Sequence, residues 1–292
     1  MRILDQAEWQ VRRATHERRV DAWIGTHLAR RGRGGKHPVE DFLFTYYPNR
    51  AARLRRWHPG LGVALAGPDA TEYLAYDGYA RAAGGTVAVD PTLLPEPRRA
   101  AARRTAELLR RSADRPAHLG CFGLHEWAMV YRSPASDVRH PAWPLRFPPA
   151  GIAAVVDSMR LTCTHVDAYR FFTPAARPLN TFEPTRASQP DLDQPGCLHA
   201  NMDLYKWAYL LTPYIGSDLV ADCFALAREI RTLDMRASPY DLAALGYPPV
   251  RVETAAGRAE YVAGQRRFAA AAASLRARLT EVYDAVLAAA PA

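Results

Sequence analysis

The sequence predicts an α+β fold that is predominantly helical and carries a small antiparallel β element. Amphipathic or apolar helical patterns recur through most of the 292 residues, which predicts helices. Short Val- and Tyr-containing segments bounded by Gly and Asp lie between 62 and 90, which predicts strands. The chain shows no internal repeat, and its length suits one large domain. We therefore expect residues 1–292 to form a single domain.

The N-terminal part, residues 1–60, is expected to be helical. Apolar residues recur at helical spacing among charges over 7–31, which predicts a long first helix. A second helix is expected to begin near Pro38, because the first helical turn tolerates proline. Pro48 should end or kink it, with another short helix running up to Trp57.

Three short segments predict a β-meander over 62–90. They read GVALAG, TEYLAY and GTVAVD, and each combines apolar or aromatic residues with flanking Gly or Asp. A loop-rich helical core is expected over 98–247. It opens with a basic amphipathic helix that ends before Pro116, and a buried helix follows in HLGCFGLHEWAMVYR.

The remaining elements alternate with proline-rich stretches. The segment SPASDVRHPAWPLRFPPAG is expected to be irregular, whereas RLTCTHVDAYRFF and the residues at 249–254 are predicted strands. Helices are predicted near 199–211 and 217–234, and a terminal Ala- and Arg-rich helix over 257–288. A long proline-rich loop over 173–196 precedes the first of them, and loops of this length are often functional.

Cysteine usage and the N-terminus indicate a cytoplasmic protein. Cys121, Cys163, Cys197 and Cys223 are scattered without a CxxC pair, which argues against a zinc ribbon and a disulfide scaffold. The N-terminus is charged throughout and lacks the apolar core of a signal peptide. No apolar run approaches the ~20 residues that span a bilayer. We therefore expect no membrane partner.

The basic charge has two interpretations. The formal net charge is +8 with a pI near 9.5, and a basic surface attracts phosphate polyanions such as DNA. Alternatively, the excess of Arg and Ala reflects a GC-rich coding sequence. The charge therefore indicates DNA as one possible partner and does not establish it.

Histidines and carboxylates concentrate in short segments. His199 and Asp203 are four residues apart and share a helical face. On the predicted strand, alternation places His165, Asp167 and Tyr169 on one face.

Two further segments carry the same residue types. His125 and Glu126 are adjacent, so on a helix they point about 100° apart and at most one faces a given site. The segment KHPVEDF adds His37, Glu40 and Asp41.

These groups admit a structural and a chemical interpretation. A His–Asp pair can sit at a helix start, where Asp203 complements the dipole and Asn201 caps. Alternatively, the pairs line one cavity, which would bind a divalent transition metal or hold a water beside a carboxylate base. We therefore expect the His165–Asp167 and His199–Asp203 pairs to lie together if the chain is an enzyme.

Standard site motifs are absent. The sequence contains no HExxH or HxH metal motif, no GxGxxG after a strand, no P-loop and no GxSxG elbow. No cofactor is expected from motifs, and a metal, if present, would be held by ligands from separate segments. The metal-ligand candidates are His125, His165, Asp167, His199 and Asp203.

Several long phrases are similar to one family. KHPVEDFLFTYYPNR, GCFGLHEWAMVYR, CTHVDAYRFFTPAARPLN, GCLHANMDLYKWAY and EIRTLDMRASPYDL resemble actinobacterial proteins labelled 3-methyladenine DNA glycosylase, across nearly the whole chain. The resemblance implies a DNA-repair N-glycosylase that excises an alkylated purine. The helix-hairpin-helix glycosylase pattern is not seen, so no catalytic residue follows from a motif.

The resemblance constrains the chemistry. A 3-alkylated adenine is already cationic, so the enzyme needs an aromatic pocket for the flipped base and one carboxylate for the sugar or a water. Asp203, Asp167 and Glu126 are the candidate carboxylates, with His199 or His165 orienting. The candidate contacts to base and phosphate are Tyr169, Tyr205, Tyr46, Trp127, Arg170, Arg236 and Lys206. Arg236 also has a structural interpretation, as a partner of Asp234 or Asp241.

Two other functions stay open. The first is a metal-dependent hydrolase or non-haem iron oxygenase that acts on a small molecule through the His and carboxylate groups. The second is a nucleic-acid-binding protein without enzymatic activity. The true substrate and the oligomeric state are not predicted.

Overall fold

A computed structural model describes residues 1–134, 138 and 141–289 of the chain. It is predominantly helical with one small sheet, which confirms the predicted α+β class. The helices are α1 Gln6–Gly32, α2 Phe42–Tyr46, α3 Ala51–Arg55, α4 Glu96–Ala113, α5 Leu124–Ala128, α6 Pro149–Asp157, α7 Val166–Tyr169, α8 Gln189–Leu192, α9 Leu198–Met202, α10 Leu204–Leu210, α11 Ser217–Arg236 and α12 Ala255–Ala289.

The described residues form two compact units, each discontinuous in sequence. The first unit comprises Met1–Leu109, Leu204–Ala225 and Ser274–Ala292, and the second comprises Arg110–Asp203 and Leu226–Ala273. The expectation of a single domain over 1–292 stays a prediction.

The sheet belongs to the first unit and is mixed. Its strands are β1 Arg2–Leu4, β2 Val63–Leu65, β3 Tyr79–Arg81 and β4 Val87–Val89, in the order β1-β2-β4-β3. β1 pairs with β2 in parallel, and the other two pairings are antiparallel. The predicted meander is therefore wrong in order, because β4 lies between β2 and β3.

The segment TEYLAY is a 3-10 helix and not a strand. Its first five residues lie within Pro68–Ala75, where Pro68 occupies the first turn after Gly67, and Tyr76 is the C-cap. Proline fixes φ near the helical value and suits this position. Tyr73 is buried there and meets the ring of Trp9 edge-on at 5.8 Å, so packing of the aromatic rings favours the turn over an extended strand.

Helix α1 confirms the predicted first helix. Its N-cap Asp5 accepts a hydrogen bond from the backbone of Glu8 at 2.8 Å, which satisfies a free helical N–H. Trp9, Val20 and Ile24 are buried along one face. The Trp9 indole donates to the Ala66 carbonyl at 3.0 Å, which ties the helix to the loop after β2.

The predicted strand in CTHVDAYRFF is wrong, because the segment forms the short helix α7. The backbone N–H of Cys163 donates to the side chain of Asn180 at 2.8 Å, and the Cys163 carbonyl accepts from the same side chain at 2.9 Å. A side chain thus satisfies the groups that a neighbouring strand would otherwise pair.

The predicted strand at 249–254 is also wrong, because these residues are irregular. The backbone N–H of Val250 donates to the carbonyl of Arg236 at 2.8 Å. The next bonds are local: the Val252 N–H donates to the Val250 carbonyl at 2.9 Å. These backbone N–H groups therefore find hydrogen-bond acceptors without a neighbouring strand.

Other predicted elements are confirmed with small changes. Helices α9 and α10 divide the single helix expected over 199–211, and α11 and α12 match the last two predicted helices. Part of the proline-rich segment that precedes α6, residues 135–137 and 139–140, lies outside the described residues. Among the helices described, none combines the length and the apolar character required to cross a bilayer.

Gly257, in the first turn of α12, offers a test of close packing. A Cβ at this position would collide with the backbone carbonyl of Arg251. We expect Gly257→Ala to lower the free energy of unfolding by about 2 kcal/mol or more, because backbone cannot yield as a side chain can. Gly25→Ala is the matched control, since Gly25 lies in α1 with no atom near its would-be Cβ.

Chemical denaturation measures both variants. The control should gain about 0.5–1 kcal/mol, the usual difference between Gly and Ala inside a helix. Equal effects of the two substitutions would contradict the packing at Gly257.

His58 links the sheet of the first unit to the start of α11. Its backbone N–H donates to the Ser217 hydroxyl at 2.8 Å, and its Nδ1 lies 2.9 Å from the Tyr79 hydroxyl. Burial, followed by the charge of Arg56, lowers the pKa of His58 to about 4. The folded protein therefore holds this imidazole neutral at pH values where an unfolded His is already charged.

This depressed pKa makes the fold acid-sensitive. Between pH 6.5 and about 4 the unfolded chain binds a proton at His58 that the native state does not. Stability should therefore fall as the pH is lowered through this window, by up to ~1.4 kcal/mol per pH unit from this group. We expect His58→Gln to reduce the slope of unfolding free energy against pH.

The matched control is His118→Gln, which replaces an exposed imidazole. Urea denaturation at several pH values between 4 and 7 gives the slopes. If the His58 and His118 variants keep the wild-type slope alike, His58 is not held neutral by the fold.

Candidate functional site

Three of the four predicted histidine segments meet in the second unit. His125 lies on α5, His165 immediately precedes α7, and His199 lies on α9. The His199 ring lies with its centroid 4.6 Å from that of His125 and 5.5 Å from that of His165. The structure thus brings the His165–Asp167 and His199–Asp203 pairs together, with His199 between two clusters.

The His165 cluster consists of His165, Asp167, Asp193 and Asp203. His165 Nδ1 lies 3.0 Å from an Asp193 carboxylate oxygen, and Asp193 accepts a second bond from Gln189 at 2.9 Å. His165 Nε2 is fully buried and has no hydrogen-bond partner among the described residues. It lies 3.8 Å from Oδ2 of Asp203, too far for a hydrogen bond.

Negative charge dominates around His165. Burial alone would lower the pKa of His165, but the charge of Asp193, with smaller contributions from Asp203 and Asp167, raises it above the usual value. One donor atom each from His165, Asp167 and Asp203 lie within 4.8 Å of one another. The cluster therefore surrounds one imidazole with carboxylates that attract a cation.

Asp167 marks the side of this cluster that is nearest to solvent. Its own side chain is buried, yet Arg186 bonds to it and Arg170 Nε lies 3.3 Å from Oδ1. Both guanidinium groups are about half exposed, at 56% and 52%. A positively charged rim therefore covers the edge of the acidic cluster.

The His125 cluster consists of His125, Glu126, His199, Arg231 and Asp234. His125 Nε2 lies 2.7 Å from Asp234 Oδ1. Arg231 donates to Glu126 and to Asp234, each at 2.9 Å. The charged side chains of this cluster are all buried, so two cations face two carboxylates away from bulk solvent.

The pKa values of His125 and His199 are shifted in opposite directions. Burial opposes the charge on His125, but the Asp234 carboxylate outweighs it and raises the pKa of His125 well above its usual value. Burial, and then the charge of His125, lower the pKa of His199 well below its usual value. His199 is therefore neutral, and neither of its ring nitrogens bonds to a described residue.

The space beside the two imidazoles is small. A cavity of about 10 Å³ is lined by His125, His199 and Gln194 together with Cys121, Cys163 and Cys197. One water needs roughly 10–15 Å³ of such volume, and a benzene-sized ring needs on the order of 150 Å³. This cavity therefore accommodates a group the size of a water and not a purine.

The predicted aromatic contacts are divided between the two units. Tyr205 in the first unit and Trp127 in the second are fully buried, and their polar atoms bond to Asn49 and to the Ala237 carbonyl. These two side chains therefore belong to the core. Tyr46 and Tyr169 are half-buried.

The predicted cationic contacts already have partners in the structure. Arg236 pairs with Glu260 at 3.2 Å and donates to a backbone carbonyl, so its structural interpretation finds a different carboxylate from those expected. Lys206 lies over the Trp207 ring at 4.4 Å. In the first unit, Asp41 pairs with His27 and Arg30, which gives the KHPVEDF segment a structural role.

Three residues of the site were not predicted from the sequence. Asp193 lies at the end of the proline-rich loop and orients His165. Arg231 and Asp234 are three residues apart on α11, and this spacing of opposite charges on one helical face was available in the sequence. Their buried partners, Glu126 and His125, are more than 100 residues away in the chain.

A scan against protein-family models and searches of curated proteins and of solved structures find no match to this chain. The resemblance to proteins labelled as DNA glycosylases therefore stays a prediction.

Arg231 should be essential for the stability of the second unit. We expect Arg231→Met to lower the free energy of unfolding by about 3–5 kcal/mol, because it leaves the Glu126 carboxylate buried without its cation. The control, Arg278→Met, removes the exposed pair with Asp222 and should cost less than about 1 kcal/mol.

Denaturant unfolding measures the free energy of unfolding of both variants. A double variant tests whether the unpaired Glu126 charge causes the loss. Adding Glu126→Gln to Arg231→Met should restore part of the loss, because the amide carries no charge. A cost for Arg231→Met no larger than that of Arg278→Met would show that the buried pairs are not held as described.

Proposed function

We propose that the second unit binds a divalent transition metal at the His165 cluster and that the protein is a metal-dependent hydrolase of a small anionic molecule. The observation that carries the proposal is His165 Nε2, a fully buried nitrogen without a hydrogen-bond partner among the described residues. Buried polar nitrogens almost always have a hydrogen-bond partner, and a bound ion is one way to satisfy a nitrogen that has none.

The orientation of His165 supports a metal ligand. A histidine that binds a metal through one nitrogen usually gives the other N–H to a carboxylate, which fixes the ring. Asp193 occupies this position at Nδ1, 3.0 Å away. His165 Nε2 then faces Asp203, and both groups are first-row metal ligands.

The spacing also supports an ion. Ligand bonds of ~2.1 Å allow two donors of one ion to stand up to about 4.2 Å apart. His165 Nε2 and Asp203 Oδ2 are separated by 3.8 Å, within that limit. Asp167 supplies a third donor atom, and all three donor atoms lie within 4.8 Å of one another. If these distances shortened by a few tenths of an ångström, all three atoms could bind one ion.

The His125 cluster is the weaker metal candidate, although His125, His199 and Asp234 have the composition of an iron oxygenase triad. His125 and Asp234 already bond to each other at 2.7 Å, and Arg231 neutralises the second Asp234 oxygen. A metal here would have to displace these bonds. At the His165 cluster, Nε2 of His165 makes no hydrogen bond to a described residue, and the contacts to be displaced are those of Asp167 with Arg186 and Arg170 at the rim.

The chemistry that fits is activation of water. A bound divalent ion lowers the pKa of water so that hydroxide forms near neutral pH. Arg170 and Arg186 at the rim suit an anionic substrate, because a guanidinium binds carboxylate and phosphate oxygens in a bidentate manner. A hydrolase of this kind is expected in the cytoplasm, where the four free cysteines would stay reduced.

The N-glycosylase has less support. Asp203, Asp167 and Glu126, its candidate carboxylates, are all buried. The cavity beside His125 and His199 is far smaller than a purine.

The proposal predicts metal-dependent stability. Protein stripped with EDTA should bind close to one Mn²⁺, Fe²⁺ or Zn²⁺ per chain. At a metal concentration of 100 Kd, binding should raise the free energy of unfolding by ~2.7 kcal/mol. We expect His165→Gln to abolish both effects, because the amide lacks the imidazole nitrogen that faces Asp203. Calorimetric titration and thermal unfolding measure them.

The matched control is His27→Gln, which alters another buried histidine beside a carboxylate, 2.9 Å from Asp41. This variant should keep metal binding. Metal-loaded wild type should also hydrolyse p-nitrophenyl phosphate, and EDTA should stop the reaction. Absence of binding, or equal loss in both variants, would overturn the metal site, and release of free base from methylated DNA in EDTA would favour the glycosylase.

A further inference from the structure

The first unit contains a cavity that the proposed metal site does not use. Its volume is about 700 Å³, within the usual range for pockets that bind small ligands. The residues that line it include Arg53, Arg56, His58, Tyr76, Arg98 and Tyr209.

The arginines of this cavity lack acidic partners in the part of the chain that the structure describes. Arg53, Arg56 and Arg98 form no ion pair with a carboxylate of the described residues. By contrast, their neighbour Arg55 pairs with Asp21 at 2.7 Å and with Glu17 at 3.5 Å. Asp77 also lines the cavity, so the three arginines leave a net positive charge.

Two of the guanidinium groups are held in place. Nη2 of Arg98 donates to the carbonyls of Leu210 and Thr212, at 3.0 and 2.8 Å. Arg56 lies over the Tyr76 ring, 4.4 Å from its centroid. Preorganised guanidinium groups bind phosphate with less loss of side-chain entropy than free ones.

His58 lines the same wall. Its Nδ1 lies 2.9 Å from the Tyr79 hydroxyl, and the residue is 95% buried. Burial, followed by the charge of Arg56, lowers the pKa of His58 to about 4. At neutral pH the imidazole therefore adds no charge to that of the three arginines.

We propose that this cavity binds a nucleoside monophosphate, with Arg53, Arg56 and Arg98 on the phosphate and the rings of Tyr76 and Tyr209 beside the base. Phosphate oxygens accept charge-assisted hydrogen bonds from guanidinium groups, and three such groups line this cavity. A base stacks on tyrosine through its π-face. The cavity volume suits a ligand that combines both parts. The proposal rests on the first unit alone and is independent of the metal site.

Calorimetric titration with AMP, adenosine and inorganic phosphate tests the assignment. AMP should bind in a saturable 1:1 manner, and adenosine and phosphate should each bind at least about tenfold more weakly, since each lacks one half of the recognised group. Arg56→Gln and Arg53→Gln should each weaken AMP binding by about tenfold or more, the typical effect of losing a charged hydrogen bond.

Arg55→Gln is the matched control, because Arg55 lies on the same short helix α3 and does not line the cavity. It should leave AMP affinity within about twofold of wild type, since exposed pairs contribute little. Four results would each overturn the proposal: no saturable AMP binding, adenosine as tight as AMP, phosphate as tight as AMP, or an Arg55 effect equal to that of Arg56.

Discussion

The second unit depends on the buried ionic contacts between α5 and α11. Removing the charges of His125, Glu126, Arg231 and Asp234 from water is costly, and only close pairing offsets that cost. Arg231 spans both carboxylates at 2.9 Å, and Asp234 reaches His125 at 2.7 Å. These contacts exist only when both helices adopt one rotation and one register, so the charges help to specify a unique arrangement.

That arrangement places His199 between two imidazoles whose pKa values are both raised by carboxylates but whose other neighbours differ. On one side, Asp234 and Arg231 complete the charge balance around a protonated His125. On the other side, three carboxylates surround His165, whose Nε2 is left without a partner among the described residues. In the first cluster each charged group lies within hydrogen-bonding distance of an opposite charge. In the second, Asp167 is paired with arginines at the rim, and Asp193 and Asp203 lie beside the imidazole. Similar residue types thus acquire different roles from their neighbours.

Prediction from sequence succeeded where helical periodicity and capping residues specify the element locally. Helix α1, with Asp5 as N-cap and a buried stripe of Trp9, Val20 and Ile24, follows directly from its pattern. It failed where tertiary partners override local preference. The segment around Cys163 looks like a strand, yet Asn180 satisfies its backbone and the chain turns into α7. The parallel pairing of β1 with β2 joins residues about 60 positions apart, which no local pattern specifies.

By itself, the sequence determined the fold class, the main helices and the segments that carry His165, Asp167, His199 and Asp203. Periodicity and capping are local properties, and a single chain displays them. Only the tertiary structure decided that Asp193 orients His165, that Asp234 and Arg231 join His125 and Glu126, and that three arginines line one cavity. The physical reason is that protonation, pairing and burial depend on groups far apart in sequence, and folding alone brings them within a few ångströms.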